Sequence, residues 1–252
     1  MIQAKADAEE NKMKSKVIVI ANRKGGSGKT TTAKNLGYNL TSSGYRVLLV
    51  DCDPQCNMSD GLTGREYKRS ILSLLKYENI HKCIYKTRFP GLDIIPGSDF
   101  LASEEIQDDV IKKQLDTVKE EYDYIIIDTS PYFNKLTVEI LKAHDMVIIP
   151  TEINEDSLKG MITTMSELSM MFDNNVLFRI LYTKIDATKE TMRALESVQQ
   201  ELESVSFKTF IHFNYIPVKR ARERRIPLSK RYQHAKVTKD YEKLALELME
   251  VL

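Results

Sequence analysis

The chain has 252 residues, of which 42% are hydrophobic and 29% charged, and its 37 Lys and Arg nearly balance its 36 Asp and Glu. This length and balance allow a full hydrophobic core, which argues against a disordered chain and against a small disulfide scaffold. The net charge of +1 gives no overall attraction to nucleic acid, so any basic binding surface must be local. The three cysteines cannot all pair, and neither a membrane-spanning apolar run nor a secretory signal is present, so we expect a reduced, cytoplasmic protein.

Short apolar runs alternate with amphipathic segments along the chain. Buried strands separated by helices predict a doubly wound α/β fold, in which a mostly parallel sheet is covered by helices on both faces. Since no linker-like segment divides the chain, we expect a flexible lead over residues 1–15 and a single domain over 16–252. The pattern predicts strands at 17–20, 47–50, 125–127, 146–149, 178–182, 207–211 and 215–218, and helices at 29–41, 155–171, 188–203 and toward the C-terminus.

A glycine-rich segment follows the first predicted strand and opens the first predicted helix. Glycines let backbone N–H groups curl around phosphate oxygens, and the N-terminus of the helix adds its dipole. In such a phosphate loop, Lys29 reaches the outer phosphates of a nucleotide and the Thr30 hydroxyl ligates Mg²⁺. The loop consists of Lys24, Gly25, Gly26, Ser27, Gly28, Lys29, Thr30 and Thr31.

The loop departs from the ordinary pattern at two positions. Arg23 stands where the first glycine is expected, and a second lysine, Lys24, precedes a Gly-Gly pair. This resembles the deviant phosphate loop of the ParA/MinD family of P-loop ATPases, and in particular its small Soj-like partition ATPases. The resemblance implies that Lys24 crosses a dimer interface and contacts the nucleotide of the partner. A cation supplied in this way stabilises the charge that develops during phosphoryl transfer, as an arginine finger does.

Two acidic motifs support the resemblance. The sequence DCDPQ at 51–55 is similar to the second acidic motif of the family, which implies that Asp53 orients the attacking water and that Asp51 lies near the metal. Asp128 ends the apolar run at 125–127, as the Mg²⁺ partner of a P-loop protein does. The family commonly continues with Cys-Pro-Pro, whereas this chain has Thr-Ser-Pro.

Two later segments carry weaker signals. Family members bring the ends of two later strands to the adenine, and the matching positions here are Thr183, Lys184 and Pro217, for which a purely structural role is about equally compatible with the sequence. Residues 219–231 then hold seven basic residues and one acidic residue, where partition ATPases of the family have a basic region that binds DNA without sequence preference. A solvated helix and a docking patch for an acidic protein are the alternatives. The DNA-binding candidates are Lys219, Arg220, Arg222, Arg224 and Arg225.

The resemblance implies a DNA partition ATPase with slow basal turnover that uses ATP and Mg²⁺. ATP would close a homodimer that holds DNA non-specifically on the nucleoid, and a ParB-like centromere-binding protein would stimulate the hydrolysis that releases it. The C-terminal helix has an acidic polar face, which disfavours a membrane-binding role. The alternative function is a nucleotide-gated regulator or assembly factor without DNA binding. An iron–sulfur reductase is disfavoured because no suitable cysteine pair is present.

Overall fold

The computed structural model describes residues 15–63, 66–103 and 106–252. Its centre is a seven-stranded sheet in which every neighbouring pair is parallel except the short edge pair at one side. The strands are β1 (Lys16–Ile20), β2 (Val47–Cys52), β3 (Tyr85–Lys86), β4 (Leu92–Ile95), β5 (Tyr124–Thr129), β6 (Met146–Thr151) and β7 (Phe178–Tyr182), in the spatial order β3-β4-β2-β5-β1-β6-β7.

Helices cover both faces of this sheet. They are α1 (Lys29–Ser42), α2 (Asn57–Asp60), α3 (Ile71–Leu75), α4 (Val110–Asp116), α5 (Lys135–Leu141), α6 (Glu155–Met171), α7 (Lys189–Glu201), α8 (Tyr215–Glu223) and α9 (Lys236–Val251). Short 3₁₀ turns lie at Ile80–Lys82, Asp99–Ser103, Glu203–Val205 and Leu228–Lys230.

Successive residues of each central strand point to opposite faces, so the core has two halves. In β1, Val17 and Val19 pack on the side covered by α4 to α7, whereas Ile18 and Ile20 pack on the side covered by α1, α8 and α9. Parallel strands with helices on both faces confirm the predicted doubly wound α/β class, and they bring the carboxyl ends of β1, β2 and β5 to one edge.

The first predicted strands and the long helices are confirmed to within a residue or two, but two later predictions are wrong. Residues 207–211 form no continuous strand: the chain runs beside β7 and is joined to it by bonds from Phe207 N to the Ile180 carbonyl and from Ile211 N to the Tyr182 carbonyl. Both apolar side chains are buried, which produces a strand-like pattern in the sequence without a ladder.

The predicted strand at 215–218 is the first turn of α8. Pro217 is the third residue of this helix, and a proline is tolerated there because the first N–H groups of a helix have no intrahelical partner. The predicted lead lies outside the described residues apart from Ser15, which is buried and donates to the carbonyls of Lys119 and Tyr122. The single-domain boundary stays a prediction.

Across the described parts of the chain, the helices are too short or too polar for any of them to traverse a lipid bilayer. Cys52, Cys56 and Cys83 are free thiols, as the sequence predicts.

Candidate nucleotide-binding site

The glycine loop connects β1 to α1 and leaves the start of α1 open. Gly26 and Gly28 have φ of +76° and +100°, a left-handed conformation that side chains with a Cβ rarely adopt. Gly28 occupies the N-cap position of α1 and provides no side-chain acceptor, whereas α5, α6 and α7 are capped by the side chains of Asn134, Asn154 and Thr188. The N-terminal N–H groups of α1 are therefore available to an anion such as a phosphate.

Lys29, at the first position of α1, turns back into the loop. Its side chain is only 6% exposed, and its Nζ donates to the carbonyls of Asn22, at 3.1 Å, and Lys24, at 3.4 Å. Burial lowers the pKa of Lys29, and the nearby carboxylates of Asp128 and Asp53 offset part of that decrease. The ammonium is thus held in place by backbone oxygens, in the position where a phosphate chain on the loop would meet it.

Arg23 and Lys24, which distinguish the loop from the ordinary pattern, both form ion pairs with residues of α6. The Arg23 guanidinium forms an ion pair with Glu167 at 2.5 Å and lies over the ring of Phe133. The Lys24 side chain is 42% exposed, and its Nζ lies 3.8 Å from a carboxylate oxygen of Asp156. Such a loose, exposed pair contributes little stability, so Lys24 is free to move to another partner.

Asp51 and Asp128 lie side by side, because β2 and β5 are paired in register at these positions. Both are fully buried. Asp51 accepts hydrogen bonds from the Ser59 amide at 2.9 Å and the Ser59 hydroxyl at 2.6 Å, and burial nevertheless raises its pKa. Its carboxylate therefore also holds α2 against the end of β2.

The carboxylate of Asp128 is different, since neither oxygen has a hydrogen-bond partner among the residues that the structure describes. Burial and then the charge of Asp51 raise its pKa well above the usual value, and the nearby Thr30 hydroxyl and Lys29 ammonium offset only part of this. A buried carboxylate with free oxygens beside a threonine hydroxyl and the phosphate loop fits a Mg²⁺ ion, which retains water and phosphate ligands. No set of three or more His, Cys, Asp or Glu side chains is placed to hold a metal ion in the described parts of the chain.

Asp53 follows β2 and borders the cavity that also contains Lys29. Its carboxylate accepts a hydrogen bond from the Gln55 amide at 2.9 Å, and its own amide donates to Asp51. Asp53 therefore lies on the same cavity as the phosphate loop.

Two adjoining cavities, of about 780 and 530 Å³, open beside the loop and share Gly28, Thr31 and Lys184 among their lining residues. At the larger cavity, the buried Thr183 hydroxyl donates to the Ser27 carbonyl at 2.8 Å and so fixes the loop. Lys184 has a positive φ of 54° and forms an ion pair with Glu152. Gly25, Gly26, Lys29 and Thr30 line the smaller cavity.

The predicted base-binding set is brought together only in part. Thr183 and Lys184 line the larger cavity, whereas Pro217 lines neither. The cavity wall is instead completed by residues that the sequence analysis missed, since no local motif marks them and they meet the loop only through the fold. They are His212, Phe213, Asn214, Tyr215 and Tyr241.

The five basic candidates lie on α8 and just after it, and all are exposed. They do not form one uniform surface. Lys219 lies over the ring of Tyr215, Arg222 donates to the Asn57 side chain at 3.2 Å and lines both cavities, and Arg225 lines the larger cavity. Arg220 and Arg224 border neither cavity.

The comparisons with known proteins agree with this geometry. A family model described as "AAA domain" matches residues 15–180. The sporulation initiation inhibitor protein Soj of Bacillus subtilis is 35% identical over 214 residues, which are 79% of this chain and 85% of Soj. The chain belongs to the ParA/MinD family of P-loop ATPases. The chromosome partitioning protein ParA of Caulobacter vibrioides is 39% identical over 162 residues, which are 60% of this chain and 61% of that protein.

The family fold extends over nearly all of the chain. The structure of a Cyanothece McdA variant in complex with ATP has 26% identity, covers 92% of this chain and 96% of its own, and superposes with a TM-score of 0.78. The predicted family and the predicted fold are therefore confirmed. The roles of individual site residues stay predictions.

Proposed function

We propose that the chain is a ParA-type partition ATPase of the cytoplasm, which uses ATP and Mg²⁺ to switch a homodimer onto and off DNA. The observation that carries the nucleotide site is the fully buried carboxylate of Asp128, which has no hydrogen-bond partner among the described residues, beside an α1 N-terminus that no described side chain caps. The carboxylate can bind a cation and the helix N-terminus can bind an anion, and a Mg²⁺-bound nucleotide contains both.

The residues around this site have distinct roles in the proposed reaction. The loop amides and Lys29 hold the phosphate chain, Thr30 and Asp128 provide Mg²⁺ ligands, and Asp51 supports them from the neighbouring strand. Asp53 orients the attacking water, since it lines the same cavity as Lys29. Bound Mg²⁺ neutralises charge that develops on the phosphates.

Lys24 is the residue that links hydrolysis to dimer formation. It is half-exposed at the loop and is only loosely paired with Asp156, so it can exchange this partner for the nucleotide of a second chain. In this proposal the single chain binds ATP but lacks one cation of the catalytic site, which explains slow basal turnover.

DNA binding is assigned to the outward-facing part of the basic segment. Arg220 and Arg224 border no cavity, and Lys219 is exposed beside them, so these side chains are available to duplex phosphates. Two-fold symmetry would double them on one face of the dimer. A ParB-like protein that stimulates hydrolysis and a location on the nucleoid follow from this function.

The test is binding to random-sequence duplex DNA at several salt concentrations, with and without ATP. If four arginines of the dimer contact phosphates, the slope of log affinity against log salt is about −3 to −4. The double variant Arg220→Glu, Arg224→Glu should lose DNA binding and keep ATP hydrolysis. The matched control is Lys112→Glu, Lys113→Glu on α4, which should bind as the wild type does.

A second candidate function is a nucleotide-gated regulator that acts on a protein complex. It is favoured by an exposed apolar patch at the start of α8, where Phe213, Tyr215 and Ile216 are 54%, 59% and 58% exposed. Wild-type protein that binds no DNA with ATP, or a double variant that binds as well as the wild type, would make this the better function.

A further inference from the structure

Lys34 is a largely buried lysine whose ammonium opens into a cavity. It lies one turn into α1, is only 7% exposed, and lines the smaller cavity. Within the parts of the chain that the structure describes, no hydrogen bond or ion pair joins its Nζ to another residue, and the Nζ is not among the enclosed polar atoms, so it remains accessible from the cavity. A buried lysine is ordinarily paired, because removing a charge from water is costly unless another group compensates it.

The neighbours of Lys34 increase this cost. Burial, followed by the positive charge of Arg222, lowers its pKa to about 8. The Nζ also lies 3.4 Å from the point that a Cβ would occupy at Gly61, so a glycine leaves room for it on that side. Asp60, the last residue of α2, precedes this glycine, and no ion pair joins it to Lys34 in the described parts of the chain.

Arg222 is exposed and shares the cavity. Its Nη2 donates to the neutral side chain of Asn57 at 3.2 Å, and its side chain lines both cavities. The described lining of the smaller cavity has four cations, Lys29, Lys34, Lys184 and Arg222, against the single carboxylate of Asp53. This excess of positive charge is complementary to a compact, multiply charged anion whose oxygens accept several hydrogen bonds.

We propose that Lys34 and Arg222 form a phosphate-binding subsite, separate from the phosphate loop, that takes a phosphate group of a small molecule. Duplex DNA is excluded as the source, because a rigid double helix cannot bring a phosphate to an ammonium that lies inside a cavity. The proposal does not depend on DNA partition, and it stands if the DNA experiments fail.

Two sources can supply this phosphate. Lys34 lines the same cavity as Thr30 and Thr31, so the phosphate chain of a nucleotide on the loop is one source. The smaller cavity is also continuous with the loop through its lining residues, so a separate phosphate compound can bind there beside the nucleotide.

The first experiment measures inorganic phosphate binding by calorimetry and by melting temperature, with sodium chloride at equal ionic strength as the reference. All proteins compared carry Lys29→Ala, so any phosphate that the loop amides still bind contributes equally to every variant. Adding Lys34→Met should weaken phosphate binding about tenfold or more, whereas adding Lys34→Arg should preserve it. Arg222→Gln should weaken it as Lys34→Met does.

Phosphate that stabilises the protein no more than chloride does would overturn the proposal. So would a Lys34→Met chain that is folded and binds phosphate as well as its parent. Because Lys34→Met replaces a buried charge with an apolar side chain of similar length, we expect it to fold, and its melting curve establishes this directly.

The second experiment identifies the source with the loop intact. If the phosphate belongs to the bound nucleotide, Lys34→Met lowers ATP affinity about tenfold, and saturating ATP abolishes inorganic phosphate binding. If it belongs to a separate compound, ATP affinity is unchanged and phosphate binds in the presence of ATP. ATP affinity that is unchanged together with no phosphate binding would contradict the subsite.

Discussion

Lys29 and Lys34 are two lysines of α1 that are buried to the same extent, at 6% and 7% exposure, but whose ammonium groups have different surroundings. Lys29 is held by the carbonyls of Asn22 and Lys24, and two carboxylates raise its pKa, whereas the charge of Arg222 lowers the pKa of Lys34. The protein therefore already holds the Lys29 ammonium in place beside the phosphate loop. The Lys34 ammonium lies in a cavity that lacks an anion for it in the free chain.

The difference shows that burial of a lysine does not reveal its role. Backbone carbonyls orient the Lys29 ammonium before a phosphate arrives, which lowers the cost of ordering it on binding. No carbonyl in the described parts of the chain accepts a hydrogen bond from Lys34 in this way, so in the free protein its charge opposes folding.

The largest effect is expected on nucleotide affinity. Lys29→Ala removes the main cation of the loop and several charge-assisted hydrogen bonds, and it should weaken ATP binding at least a hundredfold. Titration calorimetry measures this, and Lys113→Ala, at an exposed position of α4, is the control that should bind normally. Retention of near-normal affinity would mean that the loop does not hold the phosphates.

Lys34→Met is expected to stabilise the free protein. A pKa of about 8 in the folded chain, against 10.5 for an ordinary lysine, corresponds to about 3 kcal/mol of opposition to folding at pH 7. Urea denaturation without phosphate or nucleotide should therefore give the variant a higher free energy of unfolding, by up to that amount. A clear loss of stability would show that the Lys34 charge is compensated in the folded chain.

The advantage of Lys34→Met should shrink at alkaline pH. The pKa of Lys34 is lower in the folded state than in the unfolded state, so between about pH 8 and 10.5 the unfolded chain binds more protons. Wild-type stability relative to the variant therefore rises with pH, and the difference should fall by roughly half between pH 7 and 9.5. Denaturation of both proteins at each pH cancels the titration of shared groups, and a constant difference would contradict the expectation.

The smallest effect on nucleotide affinity is expected for Lys24, a lysine of the loop that is more exposed than Lys29 and Lys34. Lys24→Ala should change ATP affinity of the single chain less than about twofold, because its ion pair with Asp156 is a loose one. Light scattering should nevertheless detect no ATP-dependent dimer, or turnover should be lost. A variant that both dimerises and hydrolyses ATP normally would remove the proposed role across the interface.

The phosphate loop could be predicted from the sequence because its chemistry is local. The glycines, Lys29 and Thr30 are consecutive, and Asp51, Asp53 and Asp128 each end or follow a strand that is apolar enough to recognise. Parallel strands place their carboxyl ends at one edge of the sheet, so these separate motifs were expected to converge. The fold class followed from the same alternation of apolar strands and helices.

The opposite end of the cavity could not be predicted, since its residues carry no motif and belong to segments that the sequence assigned wrongly. Pro217 suggested a strand end, but it lies in the first turn of α8, and that helix brings Asn214 and Tyr215 to the cavity instead. A proline near a helix start and a proline after a strand are alike in sequence, and only packing against α1 and α9 distinguishes them.

The sequence by itself determined a doubly wound P-loop fold and the residues proposed to contact phosphate and Mg²⁺, because periodicity and short-range motifs encode both. The tertiary structure decided which charges lack a partner. Asp128 and Lys34 read in the sequence as an ordinary acidic and an ordinary basic residue, and their states depend on desolvation by β2, α2 and α8. Desolvation is set by neighbours that are distant along the chain, so it appears only once the chain has folded.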